Sequence, residues 1–329
     1  MRHMDERSRV LAIVTVNWNG ADNTLRCLRA LRSSAAPRWH LYIVDNASTD
    51  GSADRLDGLG DDVTMLRSDK NGGWTGGNNA GIRVALDAGH DRILILNNDA
   101  FVRSDTIGRL LEHARARDDL PVLGPVHRGV GQHSYDFDKA HRDPKTQIPH
   151  WASSTESDSD DSHLLVDTAY ISGAAMLVHR DHVEQVGLLD ERFFLNFDDT
   201  DWCARAAAAG FPLLMARDAA IDHVGSASIG GRRSPLQAYF LARNRLLYAE
   251  KHTRMLSRLR LARRYLWEAR SMARGSALRL IAQPADLVAA AFRRGVLDYA
   301  LRRFGDCPAI VREWQASYRG DGCKRAEAA

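Results

Sequence analysis

Arg92-Ile93-Leu94-Ile95-Leu96-Asn97-Asn98-Asp99 is the stretch that decides the fold class. Four consecutive Ile/Leu residues fit a strand buried on both faces, as in a parallel sheet covered by helices. The apolar run ends abruptly in three small polar side chains, the last a carboxylate. In open α/β sheets ligands bind just beyond the carboxyl ends of the strands. Asp99 therefore stands where such a sheet delivers polar groups to a ligand, and a hard carboxylate there suits Mg2+ or Mn2+ shared with a phosphorylated molecule. The same residues would also make a turn leading to a helix N-cap. The flanking segments must choose between these readings.

Upstream, Val10 to Val16 reads as a first strand, and a helix from about Asp22 carries Leu25, Leu28 and Leu31 at helical spacing. Leu41 to Val44 is a second strand ending at Asp45-Asn46, and Val63 to Leu66 a third. Downstream of the 93–96 run, a helix after Ser104 carries Ile107, Leu110 and Leu111. Strands alternating with helices of this length predict βαβ units and an α/β fold with a mostly parallel central sheet. Residues 127–166 break the pattern. They are rich in His, Asp and Ser, with Ser153 to Ser162 the most polar part, and read as a long mobile loop. Ala169 to Val178 looks extended and buried, interrupted by Ser172-Gly173; a helix from about Thr200 to Gly210 and a short strand Phe211 to Met215 follow. From Leu236 helical patterns dominate. The expected division is an α/β domain over 1–232 and a helical basic region over 233–329.

The 329 residues suffice for a substantial core, and 44% hydrophobic with 26% charged residues is ordinary for a soluble globular protein. Cys27, Cys203, Cys307 and Cys323 are scattered, with no Cys-x-x-Cys pair, so neither a zinc site nor a disulfide framework is expected and a reducing cytosol is. Met1 to Arg7 leads into a strand-like run rather than a secretory apolar region. No apolar run reaches the ~18 residues of a membrane span. The net charge of +3 hides an asymmetry: residues 251–303 carry thirteen Lys/Arg against three acidic residues, whereas 1–250 sum to −7. Within that basic part, Met255 to Trp267 interleaves arginines with large apolar groups. Interfacial amphipathic helices share this composition, and so do helical subdomains with a solvated Arg face. No nucleic-acid recognition motif accompanies the charge, so no nucleic-acid partner is expected.

The strand ends carry the chemistry. Thr15-Val16-Asn17-Trp18-Asn19-Gly20 follows the first strand and Val44-Asp45-Asn46-Ala47-Ser48-Thr49-Asp50-Gly51 the second, so both should line the edge that holds Asp99. Asp45 can accept hydrogen bonds from a nucleobase or ribose; Ser48 and Asp50 read as helix caps. Asn71-Gly72-Gly73-Trp74-Thr75-Gly76-Gly77-Asn78-Asn79-Ala80-Gly81 packs five glycines into eleven residues before a helix, a density that lets backbone approach a ligand and offers N–H groups to phosphates. It lacks the Lys-Ser/Thr of a Walker A loop and the Gly-x-Gly-x-x-Gly dinucleotide fingerprint. Phe193 to Trp202 sets Asp198, Asp199 and Asp201 among aromatics. Adjacent carboxylates against an apolar wall raise one another's pKa, which moves a general base toward neutrality; acidic residues at a solvated helix start give the same pattern. Asp222-His223 offers an imidazole that could complete a metal site begun by Asp99.

Together these segments resemble an inverting family 2 glycosyltransferase of the GT-A fold, and within it the bacterial rhamnosyltransferase-like members that extend lipid-linked glycans. The likeness runs from about Val10 to Gly230 and includes Ser172-Gly173-Ala174-Ala175-Met176-Leu177-Val178 followed by Gly187 to Arg205. It implies that Thr15, Asn17, Asp45, Asn46, Asn71, Gly72, Gly77, Asn78 and Asn98 hold a nucleotide-diphosphate sugar. Asn97-Asn98-Asp99 resembles the family's Asp-x-Asp element with Asn97 in place of the first aspartate, which leaves Asp99 as the ligand for Mg2+ or Mn2+. Asp198-Asp199 stands at the family's Glu-Asp position, whose second residue is the catalytic base. His223 resembles a histidine that joins the metal shell in some relatives. The Gln-x-x-Arg-Trp motif of processive synthases is absent, so the resemblance implies transfer of one sugar or a few. The implied donor is dTDP-rhamnose or a UDP-sugar, and the acceptor a hydroxyl of a glycan or lipid-linked glycan in cell-surface polysaccharide synthesis. The implied location is the cytoplasm, with residues 251–303 against the anionic cytoplasmic face of the inner membrane. A nucleotidyltransferase of similar sheet and a non-catalytic nucleotide-sugar-binding protein are the alternatives. The first would carry a Gly-rich segment with Arg and Lys after strand one, where this chain has Asn17-Trp18-Asn19-Gly20.

Overall fold

The computed structural model describes residues 10–130, 139–143, 149–152, 164–225, 234–273 and 286–318. The chain begins β1 (Leu11–Asn17), α1 (Ala21–Ser33), β2 (Trp39–Asp45), α2 (Ser52–Arg55), β3 (Val63–Arg67), α3 (Gly73–Asp87) and β4 (Arg92–Leu96). It continues through β5 (Ala100–Val102), α4 (Thr106–Arg115), β6 (Val122–Gly129), β7 (Lys139–Arg142), β8 (Pro149–Ala152) and β9 (Leu165–Asp167). Then come β10 (Ala175–His179), α5 (Arg180–Val186), α6 (Asp198–Ala208) and β11 (Leu213–His223). Four helices follow: α7 (Pro235–His252), α8 (Met255–Ala273), α9 (Leu287–Ala300) and α10 (Ala309–Ser317).

The main sheet has the order β3-β2-β1-β4-β10-β6-β11-β5, with β9 also pairing β11. Strands β3, β2, β1 and β4 are mutually parallel, as the alternating pattern predicts. Beyond β4 the sheet is mixed: β10 runs antiparallel to both β4 and β6, while β6 and β11 are parallel. Two reversals restore direction, so β6 and β11 end at the same edge as β1, β2 and β4. Ile93 to Leu96 is fully buried, as a strand covered on both faces requires. Alternate residues feed two cores. Leu11, Ile13 and Leu94 pack with α1 and α4 on one face, and Ala12, Val14, Ile93 and Ile95 with α3 and α6 on the other.

Four expectations need correction. The strand expected over 211–215 is β11, eleven residues long; a register shift between Ala216 and Ala220 lets Arg217 and Asp218 interrupt its apolar pattern. The extended run expected from Ala169 begins only at Ala175, and Thr168 to Ala174 is loop. The region 127–166 is not one irregular loop: β6 runs on to Gly129, and β7 and β8 pair as a separate two-stranded sheet. The polar stretch Ser153 to Ser162 lies outside the described residues. Finally, the glycine-rich segment is not a loop before a helix but the first turns of α3 itself. A Cβ on Gly81 would lie 2.4 Å from Val14 Cγ1, and one on Gly77 2.8 Å from both Val16 methyl groups. These two glycines seat α3 directly on β1.

The chain partitions into two compact units, one of residues 1–142, 148–191 and 198–225, the other of 143–147, 192–197 and 226–329. In the second, Phe194, Leu236, Tyr239, Phe240, Ala291, Cys307 and Val311 form an apolar core among α7, α9 and α10. The segment 192–197 belongs to this unit and has left-handed backbone at Phe194, Asn196 and Phe197, a conformation that disfavours residues bearing a Cβ. Its carbonyls are gripped by two fully buried side chains of α7. Asn244 Nδ2 donates to Phe193, Leu195 and Asn196 oxygens at 2.7–2.9 Å, and Arg243 Nη2 to Phe193 O at 3.0 Å.

Candidate active site

The site lies wholly in the first unit, at the sheet edge where β1, β2, β4 and β11 end. The end of β2 is organised around Asp45, which is 3% exposed. Its carboxylate accepts from Asn17 Nδ2 (2.9 Å), Ser48 Oγ (2.5 Å) and Ser48 N (3.0 Å). Ser48 is therefore not the helix cap expected of it; its hydroxyl ties the loops after β1 and β2 together, also accepting from Asn19 N. Asp50 does accept from Ser52 N, at the start of α2. Asn46 is committed as well: Nδ2 donates to Asn71 Oδ1 and Gly73 O, and Oδ1 accepts from Gly72 N. Asn17 and Asn46 of the expected ligand-binding set thus also hold the strand-end loops together. Thr15 and Asn17 are fully buried. Gly77 faces Val16 rather than open space, and Asn98 Nδ2 donates to Thr24 Oγ1. Asn78 Nδ2 folds back onto Trp74 O, while its buried Oδ1 has no partner among the described residues.

At the end of β4, Asp99 is 9% exposed and its Oδ1 lies 3.3 Å from Nε2 of His223, itself 7% exposed at the end of β11. β5 brings them together, because its antiparallel register sets Ala100 opposite His223. His127 stacks edge-on to His223 at 5.6 Å; burial, with His223 beside it, pushes its pKa down to about 3 and keeps it neutral. The converging carboxylate oxygen and imidazole nitrogen fit a divalent ion that completes its shell with diphosphate and water. Among the described residues no group of three or more ligating side chains occurs, so the remaining positions would fall to the ligand.

The second acidic cluster starts α6. Asp201 is an internal ion-pair residue, 2.9 Å from Arg205. Asp198 and Asp199 are different. Burial first, then the adjacent Asp199, pushes Asp198 up to about 8; it accepts from Thr75 Oγ1 (3.2 Å) and Asp199 N (3.0 Å). Asp199 is also raised by burial, but four donors oppose the rise. Tyr170 Oη (2.6 Å) and Gly173 N (3.0 Å) donate to Oδ2, and Thr200 N (2.7 Å) and Oγ1 (3.3 Å) to Oδ1. Asp199 is thus held by four donors where Asp198 has fewer, which makes it the better-stabilised carboxylate of the pair and the candidate base.

Trp74 joins the two acidic centres. Its Nε1 donates to Asn97 Oδ1 at 2.6 Å, two residues before Asp99. A Cβ on Gly173 would fall 2.5 Å from the ring atoms Cζ2 and Cη2 of the same indole and 3.4 Å from Asp199 Cβ. One indole thus spans from the strand end bearing Asp99 to the loop that donates to Asp199. Sequence reasoning missed Trp74, Thr75 and Tyr170. The first two sat inside a segment read only for its glycines, and Tyr170 lies two residues before Ser172-Gly173 with nothing in its spacing to mark it.

A mixed sheet of this order, carboxylates at the ends of the two strands that flank β1 and a buried acid pair at a helix start fit a glycosyltransferase of GT-A type. The model of the family described as Glycosyl transferase family 2 matches residues 12–187, and the chain belongs to that family. It is 24% identical over 220 residues to the dTDP-rhamnosyl transferase RfbF of Shigella flexneri, covering 65% of this chain and 71% of that protein. It is 26% identical over 242 residues to the N-acetylglucosaminyl-diphospho-decaprenol L-rhamnosyltransferase of Mycobacterium tuberculosis, covering 67% and 78%. Among solved structures it shares its fold with GalNAc-T7 crystallised with UDP, GalNAc and Mn2+, with a TM-score of 0.59 and 12% identity; the likeness covers 95% of this chain and 57% of that one.

Proposed function

We propose that this glycosyltransferase moves a rhamnosyl group from dTDP-rhamnose to a hydroxyl of a lipid-diphosphate-linked glycan, with inversion, using Asp199 as the base. The observation that carries the reading is the link Asn97–Trp74–Gly173–Asp199, which joins a diphosphate-side carboxylate to a buried carboxylate pair. The sugar and the acceptor are inferred from the two rhamnosyltransferase relatives. Asp45, fixed by Asn17 and Ser48, is positioned to accept hydrogen bonds from the nucleoside. Asp99 and His223 would hold Mg2+ or Mn2+, which when bound offsets charge on the departing diphosphate. Asp199 accepts the proton of the acceptor hydroxyl as its oxygen attacks the anomeric carbon from the face opposite the leaving group. A general base contributes ~10²–10⁴-fold. Asp199→Asn is accordingly expected to lower kcat by about that factor while the dTDP-rhamnose Kd measured calorimetrically stays within twofold; unchanged turnover would assign the base elsewhere.

No helix among the described residues is long and apolar enough to cross a membrane. A peripheral site on the cytoplasmic membrane face is the second part of the proposal. It is supported by α8, where Met255, Leu259, Leu266 and Trp267 (67% exposed) stand outward among exposed Arg260, Arg263 and Arg264. Apolar groups that can enter the headgroup layer beside cations that pair with anionic lipid suit such a surface. Co-sedimentation with vesicles should rise with anionic lipid content and fall for Trp267→Ala; binding indifferent to lipid charge contradicts it.

A further inference from the structure

We propose that Tyr170 is the positioning residue of the catalytic base: with the Gly173 N–H it fixes Oδ2 of Asp199, so that the carboxylate is presented in one orientation and in its ionised form. This deepens the proposed function and rests on Asp199 being the base. The geometry is specific. Tyr170 is 6% exposed, its hydroxyl lies 2.6 Å from Oδ2, and Gly173 N reaches the same oxygen at 3.0 Å from further along the same loop. Thr200 holds the other oxygen from within α6.

The need for such a grip follows from the burial of the site. A carboxylate removed from water takes up a proton unless donors replace the lost hydration. Asp198, with fewer donors, illustrates the outcome one residue away. The titratable groups beside Asp199 are Asp198 on the same helix, whose own carboxyl Asp199 pushes upward, and Tyr170 from the loop, whose hydroxyl favours the ionised form of Asp199. The loop's backbone N–H groups add donors but cannot supply the short O–H···O⁻ contact of the phenol. Tyr170 makes no bond to be broken in the reaction; its action passes through Asp199.

The test uses the full chain, dTDP-rhamnose as donor and an N-acetylglucosaminyl-diphospho-polyprenol as acceptor, with kcat followed from pH 5 to 9 for wild type, Tyr170→Phe and Asp199→Asn. Losing a hydrogen bond to a charged group should move the acid limb of the Tyr170→Phe profile upward by about one to two pH units. Turnover at pH 6.5 should fall by about tenfold or more, and recover toward wild type at pH 9. The Kd for dTDP-rhamnose and the far-UV circular dichroism should not change, since Phe retains the packing. An acid limb that superimposes on wild type overturns the proposal, whether or not kcat has fallen, because a merely structural role lowers kcat at all pH values alike. The Asp199→Asn arm keeps the two readings apart. If that variant retains turnover, the base assignment fails; if it is inactive while Tyr170→Phe keeps the wild-type limb, only the positioning role fails.

Discussion

Gly173→Ala adds one methyl group, and its effect can be worked from the structure. The glycine is not among the residues with positive φ, so alanine is acceptable to the backbone and the consequence is steric. The added Cβ would sit 2.5 Å from Cζ2 and Cη2 of Trp74. Carbon atoms pack best at ~3.5–4.0 Å, so one partner must retreat by about 1 Å or more. Neither can do so freely. If the indole swings away it gives up the 2.6 Å bond to Asn97; if the loop recoils, Gly173 N leaves Asp199 and the Asn97 N to Ala174 O bond (2.9 Å) is strained. Overpacking of this kind costs ~1–3 kcal/mol, which for a unit this size lowers Tm by roughly 2–4 °C per kcal/mol. Turnover should suffer more, since a ~1 Å misplacement at a reacting group costs about 10²-fold. The assay is kcat with dTDP-rhamnose beside a thermal melt. Pairing the substitution with Trp74→Leu, which removes the obstructing ring atoms, should recover part of the lost Tm though not the lost indole bond. A Gly173→Ala protein with wild-type kcat and Tm would refute the close packing of indole, loop and base.

Three further outcomes follow from the same coordinates. Asp198→Asn should stabilise the protein more above neutral pH than at pH 5. Burial raises the folded pKa of Asp198 from the ordinary 3.8 to about 8, so its contribution to stability is full only below the ordinary carboxyl range, declines as pH rises from there to about 8, and levels off above. A difference in Tm that is constant from pH 5 to 9 would contradict the buried, protonated carboxyl. In α3, Gly81→Ala should destabilise by ~1–2 kcal/mol, since contact with Val14 outweighs the helix-propensity gain of about 1 kcal/mol, whereas Gly76→Ala, with nothing within 4 Å, should stabilise by up to that gain; urea unfolding of both variants checks the opposite signs. Asp99→Ala should abolish the Mg2+ dependence of dTDP-rhamnose binding in calorimetry while the metal-free affinity stays, and an unaltered Mg2+ dependence would move the metal elsewhere.

The parallel half of the sheet was legible because its signal is local: a buried strand must be apolar throughout, and Ile93 to Leu96 is. The mixed half was not, because β5 is three residues long and β11 is broken by Arg217 and Asp218. Arg217 and Asp218 sit at the register shift, where no strict alternation is imposed. In the site, the aspartates were legible as residue types at strand ends, but their neighbours' roles were not. Asn17 and Asn46 look like ligand-binding residues in sequence and Ser48 like a helix cap, and in the structure their donors are engaged in fixing Asp45 and the turn before α3. A polar residue beside a ligand and one that supports it have the same composition, and only partners distinguish them. Tyr170 and Trp74 act across 29 and 23 residues of chain, separations that no local pattern encodes.

The unlike behaviour of Asp198 and Asp199 follows from helix geometry. Successive residues of an α-helix diverge by about 100°, so two adjacent side chains at its start face different walls. Asp198 meets α3, where Thr75 is its side-chain donor; Asp199 meets the loop before β10, which supplies a phenol and a backbone N–H. The same burial thus leaves one carboxyl with few donors and its neighbour with four. A single acid in this position would lack the neighbour that discourages a second charge, and a pair three or four residues apart would share a wall and a fate. Adjacency at the first turn is what allows one helix to give two carboxyls two different sets of hydrogen-bond donors.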